Sequence, residues 1–338
     1  MTHRYPSYYD KFRCIADLCP DSCCKDWDVV VDSGTEAFYN TVQGELGDKL
    51  RRLTVTDEDG DRVFVLQNGK CPFWNSDMLC DIYTELGEEH LCRTCQNFPR
   101  ITADYTVFAE HTLSFACPEA ARLILAEDNA YAELNETPDS LACEDYDAEL
   151  MRVLLAARKK SADILQDRSL PFAQRLIECL RLNSELSDDL NGADTPVITD
   201  NEAPRDIGFI FDFFDTLDYM HADNKRLILR GRDIDNSIDL TPYDGLFERL
   251  GLYYLYRYYL NAINDGDVLG CIRRMICAYL VIGHSLCAEP KPDPLLITQR
   301  YSKEIEHSYE NNEELDFAFA ADTRFSAQSL ISVLESIT

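Results

Sequence analysis

The pattern of apolar and polar positions changes character near residue 130. Before that point the apolar runs are short and broken by turn residues. Residues 33–53 predict a helix, weakened by Gly44 and Gly47. Residues 54–67 predict a hairpin, with DEDGD as the turn and RVFVLQ as the returning strand. Asn68-Gly69 marks a second turn that leads into Cys71-Pro72-Phe73-Trp74. Residues 81–95 read as largely helical with a weak point at Gly87, and residues 101–115 as containing a short strand. Pro118 stands at the start of a helix, a position that suits proline because the first turn has no use for its missing N–H.

Beyond a polar connection at 130–144 the pattern is helical almost throughout. Apolar positions recur with a period near 3.6 over 147–166, 171–190, 204–220, 243–261, 268–288, 294–315 and 326–337. The 243–261 segment is apolar on nearly every side, which predicts a buried helix. In 294–315, Tyr301, Ile305 and Tyr309 form an i, i+4, i+8 stripe. The expected fold is mainly α with a small β-hairpin. A cysteine-rich metal-binding region, 1–128, packs on a helical region, 145–338, that completes a substrate groove.

Composition narrows the class. Hydrophobic residues make up 46% of the 338 and charged residues 28%, which is globular composition. A formal net charge of -29 argues against nucleic acid as a partner. The opening MTHRYPSYYD lacks a basic stretch followed by an apolar core. The most apolar run, near 275–288, is shorter than the roughly 20 residues of a membrane span. No membrane association and a cytoplasmic location are therefore expected. In that compartment thiols stay reduced, so the fourteen cysteines are read as thiols, metal ligands or redox groups rather than disulfides.

The cysteines carry the chemistry. Cys14, Cys19, Cys23 and Cys24 fall within eleven residues, followed by Cys71, Cys80, Cys92, Cys95 and Cys117. Clustered thiolates are soft anionic ligands that need a soft cation to coexist. One tetrahedral zinc or one four-iron cluster takes four of them, so eight or nine candidates mean two sites, or one site with supporting cysteines. With only six histidines in the chain, an all-sulfur environment is favoured. The spacing matches neither the common ferredoxin run nor the usual zinc-finger pairing. Cys143, Cys179, Cys271, Cys277 and Cys287 are scattered and read as small core residues.

These residues resemble the flagellin lysine N-methylase family, related to the zinc- or iron-chelating CxxCxxCC domain group. The matching elements are Phe12-Arg13-Cys14, Cys19, Cys23-Cys24-Lys25-Asp26-Trp27, Cys71-Pro72-Phe73-Trp74 and Cys80. Leu86-Gly87-Glu88, Thr94-Cys95-Gln96-Asn97-Phe98-Pro99-Arg100 and Ser114-Phe115-Ala116-Cys117-Pro118-Glu119-Ala120-Ala121 continue them. Tyr256-Arg257-Tyr258 and residues 302–311, SKEIEHSYEN, extend the likeness into the helical half. Asp26 stands where the family commonly has glycine, Trp74 where it often has leucine, and Phe98 where tyrosine is common.

The resemblance implies S-adenosylmethionine-dependent methyl transfer to protein lysines, with flagellin as the substrate and an iron–sulfur cluster of the 4Fe-4S type as the cofactor. It centres the ligands on Cys14, Cys19, Cys23, Cys24, Cys71, Cys80, Cys95 and Cys117, with Cys92 a weaker ninth. Neither a glycine-rich donor loop nor the radical Cys-x3-Cys-x2-Cys spacing is present. A sulfonium donor is a cation and suits aromatic faces, so Trp27, beside the ligands, is a candidate for donor binding. Arg100 suits the donor carboxylate or the charge of a cluster, and Glu119 the donor amino group. The alternatives are a non-catalytic zinc- or iron-chelating module and an iron–sulfur electron-transfer protein.

Overall fold

The computed structural model describes residues 1–136, 138, 140–191, 206–234 and 238–337. The chain is mainly helical, with two small sheets. Strand β1 (Thr2–Arg4) opens it, followed by α1 (Ser33–Tyr39), α2 (Gly44–Leu53), β2 (Thr54–Thr56) and β3 (Arg62–Phe64). Two short helices, α3 (Asp81–Leu86) and α4 (Arg93–Asn97), precede β4 (Arg100–Asp104), β5 (Phe108–Leu113) and α5 (Pro118–Ala126). The helical part comprises α6 (Ala148–Leu165), α7 (Phe172–Asn191), α8 (Gly208–Thr216), α9 (Ala222–Leu229) and α10 (Asp244–Tyr258). It ends with α11 (Ala262–Asp265), α12 (Val268–Cys287), α13 (Pro294–Tyr301), α14 (Tyr309–Ala321) and α15 (Ala327–Ser336).

The hairpin expected over 54–67 forms, with Val55 opposite Val63. Residues 100–113 form two antiparallel strands rather than one, and β1 adds to β5 in parallel. A three-residue strand has no periodicity to detect, which is why β1 is invisible in the pattern. The 33–53 segment divides: Gly44 takes φ +82, and α2 starts afresh there. The 294–315 segment divides too. After α13 the backbone widens into a π-helical turn over Ser302–Glu306, and Ser308, in extended conformation, caps α14 by accepting from Asn311 N–H. That extra winding turns the expected stripe, so Tyr301 and Ile305 are buried while Tyr309 is 71% exposed.

Two hydrophobic cores exist among the described residues. The smaller is built from Val29, Val31, Tyr39, Leu46, Leu50, Phe64, Phe73 and Ile82. The larger centres on α12, which packs against α7, α10 and α13. It also takes in Tyr8, Phe12, Phe108, Leu113, Phe115 and the inner face of α5. The two ends of the cysteine-rich stretch thus belong to the helical body, and only its middle has a core of its own. By length and composition α12 is apolar enough to cross a membrane, but 89% of its most apolar window is buried against other helices.

The small sheet is tied to that body by charge. Glu110 on β5 accepts from both terminal nitrogens of Arg158 on α6, at 2.6 and 2.7 Å, and Arg4 of β1 reaches the same carboxylate at 2.9 Å. The Arg158 and Glu110 side chains are each 2% exposed. Removing one partner of such a pair strands a buried charge. Glu110→Ala is expected to cost about 3–5 kcal/mol in urea unfolding; a loss under ~1 kcal/mol would show that the sheet does not depend on it.

Candidate functional site

The smaller core brings five thiols together. Asn68 and Gly69 both take positive φ, 53° and 73°, and close a tight turn between Gln67 and Lys70. The returning chain pairs with the cysteine segment, and Cys71 N–H donates to the Cys24 carbonyl at 2.7 Å. A second turn bridges Trp74 to Cys80. Cys92 precedes α4, and Cys95 lies within it. Cys71 and Cys92 are buried, and Cys24, Cys80 and Cys95 pack against the same cluster.

Burial and neighbouring thiols shift their acidities. Burial pushes the Cys71 thiol up to about 12, and the neighbouring Cys80, Cys92 and Cys23 add to it. The Cys95 thiol donates to Cys92, which raises Cys95 and lowers Cys92. A second group lies toward the helical body. Cys117, which opens α5, is raised to about 12 by burial, with Cys19 and Cys23 contributing. Cys19 is raised mainly by burial and also feels Cys14 and Cys23. Cys23 therefore stands between the groups. Among the described residues, no three His, Cys, Asp or Glu side chains are arranged to hold a metal ion.

A seam of buried charge joins the cysteine segment to the π-helical turn. Asp21 is 5% exposed and Lys303 1%. The Asp21 carboxylate meets Lys25 at 2.8 Å, Lys303 at 3.2 Å, Gln299 at 3.3 Å and also Arg300. Burial pushes this carboxyl up, but Lys303, Lys25 and Arg300 outweigh it and hold the group well below the usual carboxylate range. Lys303 also reaches Asp26 at 3.3 Å, and His221 meets the same oxygen at 2.8 Å. Asp26 takes φ +79, which explains why glycine is common at this position in the family it resembles. Here an aspartate accepts that backbone, and its carboxylate joins the seam.

Beside the seam lies an aromatic cluster. Trp27 donates its indole N–H to the Cys23 carbonyl at 2.9 Å. Its ring lies 5.3 Å from Phe98 and 5.7 Å from His307, and the Lys303 ammonium sits 5.0 Å from its centroid. His307 Nε2 lies 2.5 Å from the Ser114 hydroxyl. The His307 residue is exposed, yet protein crowds its ring. Desolvation, with Arg257 and Lys303 nearby, lowers its pKa to about 4. Next to it, Glu306 accepts from the Tyr258 hydroxyl at 2.8 Å and from the Tyr253 hydroxyl at 3.1 Å.

The three residues singled out for donor binding fare differently. Trp27 stands in the aromatic cluster with Phe98 and His307. The Arg100 guanidinium lies over the rings of Phe12, at 5.1 Å, and Tyr9, at 5.9 Å, with no carboxylate paired to it among the described residues. Glu119 is held by Arg122 through two hydrogen bonds of 2.7 and 2.8 Å. Lys303, Glu306, His307 and Arg257 were not singled out by spacing. Their signal was the SKEIEHSYEN and Tyr256-Arg257-Tyr258 likeness, which carried no role for single residues.

His307 has a consequence for pH. Its folded pKa lies below the unfolded value near 6.5, so the fold favours the neutral ring. That contribution is complete above pH 6.5 and is lost as pH falls toward 4. His307→Gln is expected to flatten the decline of stability across this window in thermal melts. An unchanged pH profile would contradict the assignment.

No family model matches the chain, and no solved structure matches it significantly. Over 143 residues, 40% of this chain, it is 30% identical to the lysine-N-methylase of Salmonella typhimurium. Over 143 residues it is 29% identical to the lysine-N-methylase of Salmonella choleraesuis. Each match spans 36% of the methylase, so the chain covers little more than a third of those relatives. Over 138 residues it is 31% identical to the flagellar biosynthetic protein FliU of Salmonella muenchen, and there the match spans 82% of the relative. At that identity and coverage, the chain belongs to the family of the flagellar biosynthetic protein FliU.

Proposed function

We propose that this protein is a cytoplasmic enzyme that transfers methyl groups from S-adenosylmethionine to lysine side chains of a protein, flagellin, with an iron–sulfur cluster at its site. The observation that carries the reading is the convergence of separate sequence segments on one aromatic cluster. Trp27, Phe98, Ser114 and His307 come from four segments of the likeness and meet there, next to Cys23. The lysine-N-methylases of Salmonella are the relatives that name this activity.

Soft thiolates are the ligands that an iron–sulfur cluster takes, and to bind one the protein would have to draw together thiols that no group of three presents ready-made among the described residues. Cys24, Cys71, Cys80 and Cys95 share one small core, and Cys14, Cys19, Cys23 and Cys117 adjoin it. Burial and mutual repulsion keep most of these thiols protonated, a state that a bound cation would reverse. A four-iron cluster held by four of them would supply one-electron chemistry.

The protein's own groups have separate tasks. The faces of Trp27 and Phe98 attract a sulfonium. The Glu306 carboxylate, oriented by two tyrosine hydroxyls, attracts a lysine ammonium. In a polar transfer the lysine ammonium, with a reference pKa near 10.4, must first give up a proton, and the Glu306 carboxylate that attracts it is the base that takes it. The amine lone pair then forms the N–C bond as the S–CH3 bond breaks, leaving S-adenosylhomocysteine.

Anaerobically purified protein incubated with S-adenosylmethionine and flagellin from the same organism is expected to add 14 Da per methyl group to flagellin lysines, as roughly set by replacing H with CH3. Cys71→Ser and Cys95→Ser are expected to lower both iron and labile sulfide. No methyl gain from a cluster-replete, donor-bound protein rejects flagellin as substrate. Stoichiometric zinc without sulfide replaces the iron–sulfur reading with a zinc-chelating one.

A further inference from the structure

A cavity lies where the π-helical turn meets α10, α12 and α14. Tyr254, Tyr258 and Tyr301 line it, and Glu306 is the acidic side chain among its lining residues. It encloses about 220 Å³ counting its open side, yet a water-sized group finds room for about one position inside. Its walls are fixed. Tyr254, Tyr301, Ile305 and Leu315 belong to the larger core, each 2% exposed or less. Asn312, also in the lining, is pinned through its amide to the carbonyls of Glu306, at 3.0 Å, and Ser308, at 2.6 Å.

The charges in the lining differ in what they have left to give. Arg274 lines the cavity, but its terminal nitrogens are spent. One meets Asn312 Oδ1 at 2.7 Å, and the other meets the Asn312 carbonyl at 3.2 Å and Asp316 at 2.5 Å. Asp316 also balances its charge. Arg257, which feels Glu306, is not among the lining residues. Glu306 is only half used. Its Oε2 accepts from the hydroxyls of Tyr253 and Tyr258, whereas its Oε1 has no hydrogen-bond partner among the described residues and is not sealed from water. The cavity thus offers tyrosine side chains and a carboxylate oxygen without a donor, and its guanidinium is already taken. A small cation with N–H donors is suited by such a lining, and an anion is not.

Resting on the methyl-transfer reading, we propose that this cavity seats the acceptor amine and selects it by size, taking a primary ammonium and shutting out a quaternary one. The ammonium of lysine is about as large as a water molecule and carries three donors, one of which suits Glu306 Oε1. A trimethylated amine has no N–H to give the carboxylate, and its methyl groups need more space than the pinned walls leave.

The test requires no methyl donor. Ligand-observed NMR on the cluster-replete full chain compares three probes with the same four-carbon stem: n-butylammonium, n-butyltrimethylammonium and 1-butanol. The primary ammonium is expected to bind about tenfold more tightly than either of the others, the scale of one charge-assisted contact. Glu306→Gln, which keeps the shape and removes the charge, should bring it down to the affinity of the alcohol. Equal affinity of wild type for the ammonium and the alcohol overturns the proposal. So does a trimethyl probe that binds as well as the primary one, and neither result depends on a variant folding. A preference that survives Glu306→Gln in a folded protein puts the amine elsewhere and overturns it too. The methyl-transfer reading is judged separately. Amine selectivity without methylation of flagellin removes that reading and keeps the ammonium pocket, and methylation without the selectivity does the reverse.

Discussion

The pairing of Lys303 with Asp21 and Asp26 is the constraint on which the rest of the site depends. An ammonium 1% exposed and a carboxylate 5% exposed have given up almost all contact with water. Each is tolerable only because the other is in place, and removing one partner of such a pair typically costs about 3–5 kcal/mol. One end of the pairing is a loop between Cys19 and Cys23, and the other is the π-helical turn after α13. The interaction therefore fixes the thiol-bearing loop against the helical body. With that loop fixed, Trp27 meets Phe98 and His307.

The π-helical turn has a role in this arrangement. A continuous α-helix over 294–315 would have kept Tyr301, Ile305 and Tyr309 on one apolar face and left Lys303 on another. The wider turn and the Ser308 cap reorient the chain. Glu304 then accepts from Asn224 and the Met220 amide, Glu306 faces the tyrosines of α10, and His307 reaches Ser114. Four consecutive positions, Lys303 to Glu306, thus serve buried contacts on several sides. Single-turn π segments are found at functional sites for this reason: they aim side chains that a regular helix cannot.

Much of the architecture is legible in the sequence because it follows from periodicity. The helices at 148–165, 172–191 and 268–287 lie within a residue or two of their apolar repeats, and the Asp147 and Asp267 caps stand where the repeats begin. The cysteines were legible by number and proximity alone. The seam was not. Lys303, Glu304 and Glu306 read as the polar face of an amphipathic helix, and only tertiary pairing turns them inward. Glu119 illustrates the converse: its place beside Cys117 suggested ligand contact, but a neighbour one turn along, Arg122, holds its carboxylate.

In the proposed reading the working site lies where the cysteine segment meets the π-helical turn. Hydrogen–deuterium exchange of the cluster-replete protein, with and without S-adenosylmethionine, measures this segment by segment. Donor-dependent protection is expected in 21–27, 98–100, 114–117, 257–258 and 302–307. Protection confined to other segments, with these five unchanged while the donor is bound, would place the site elsewhere.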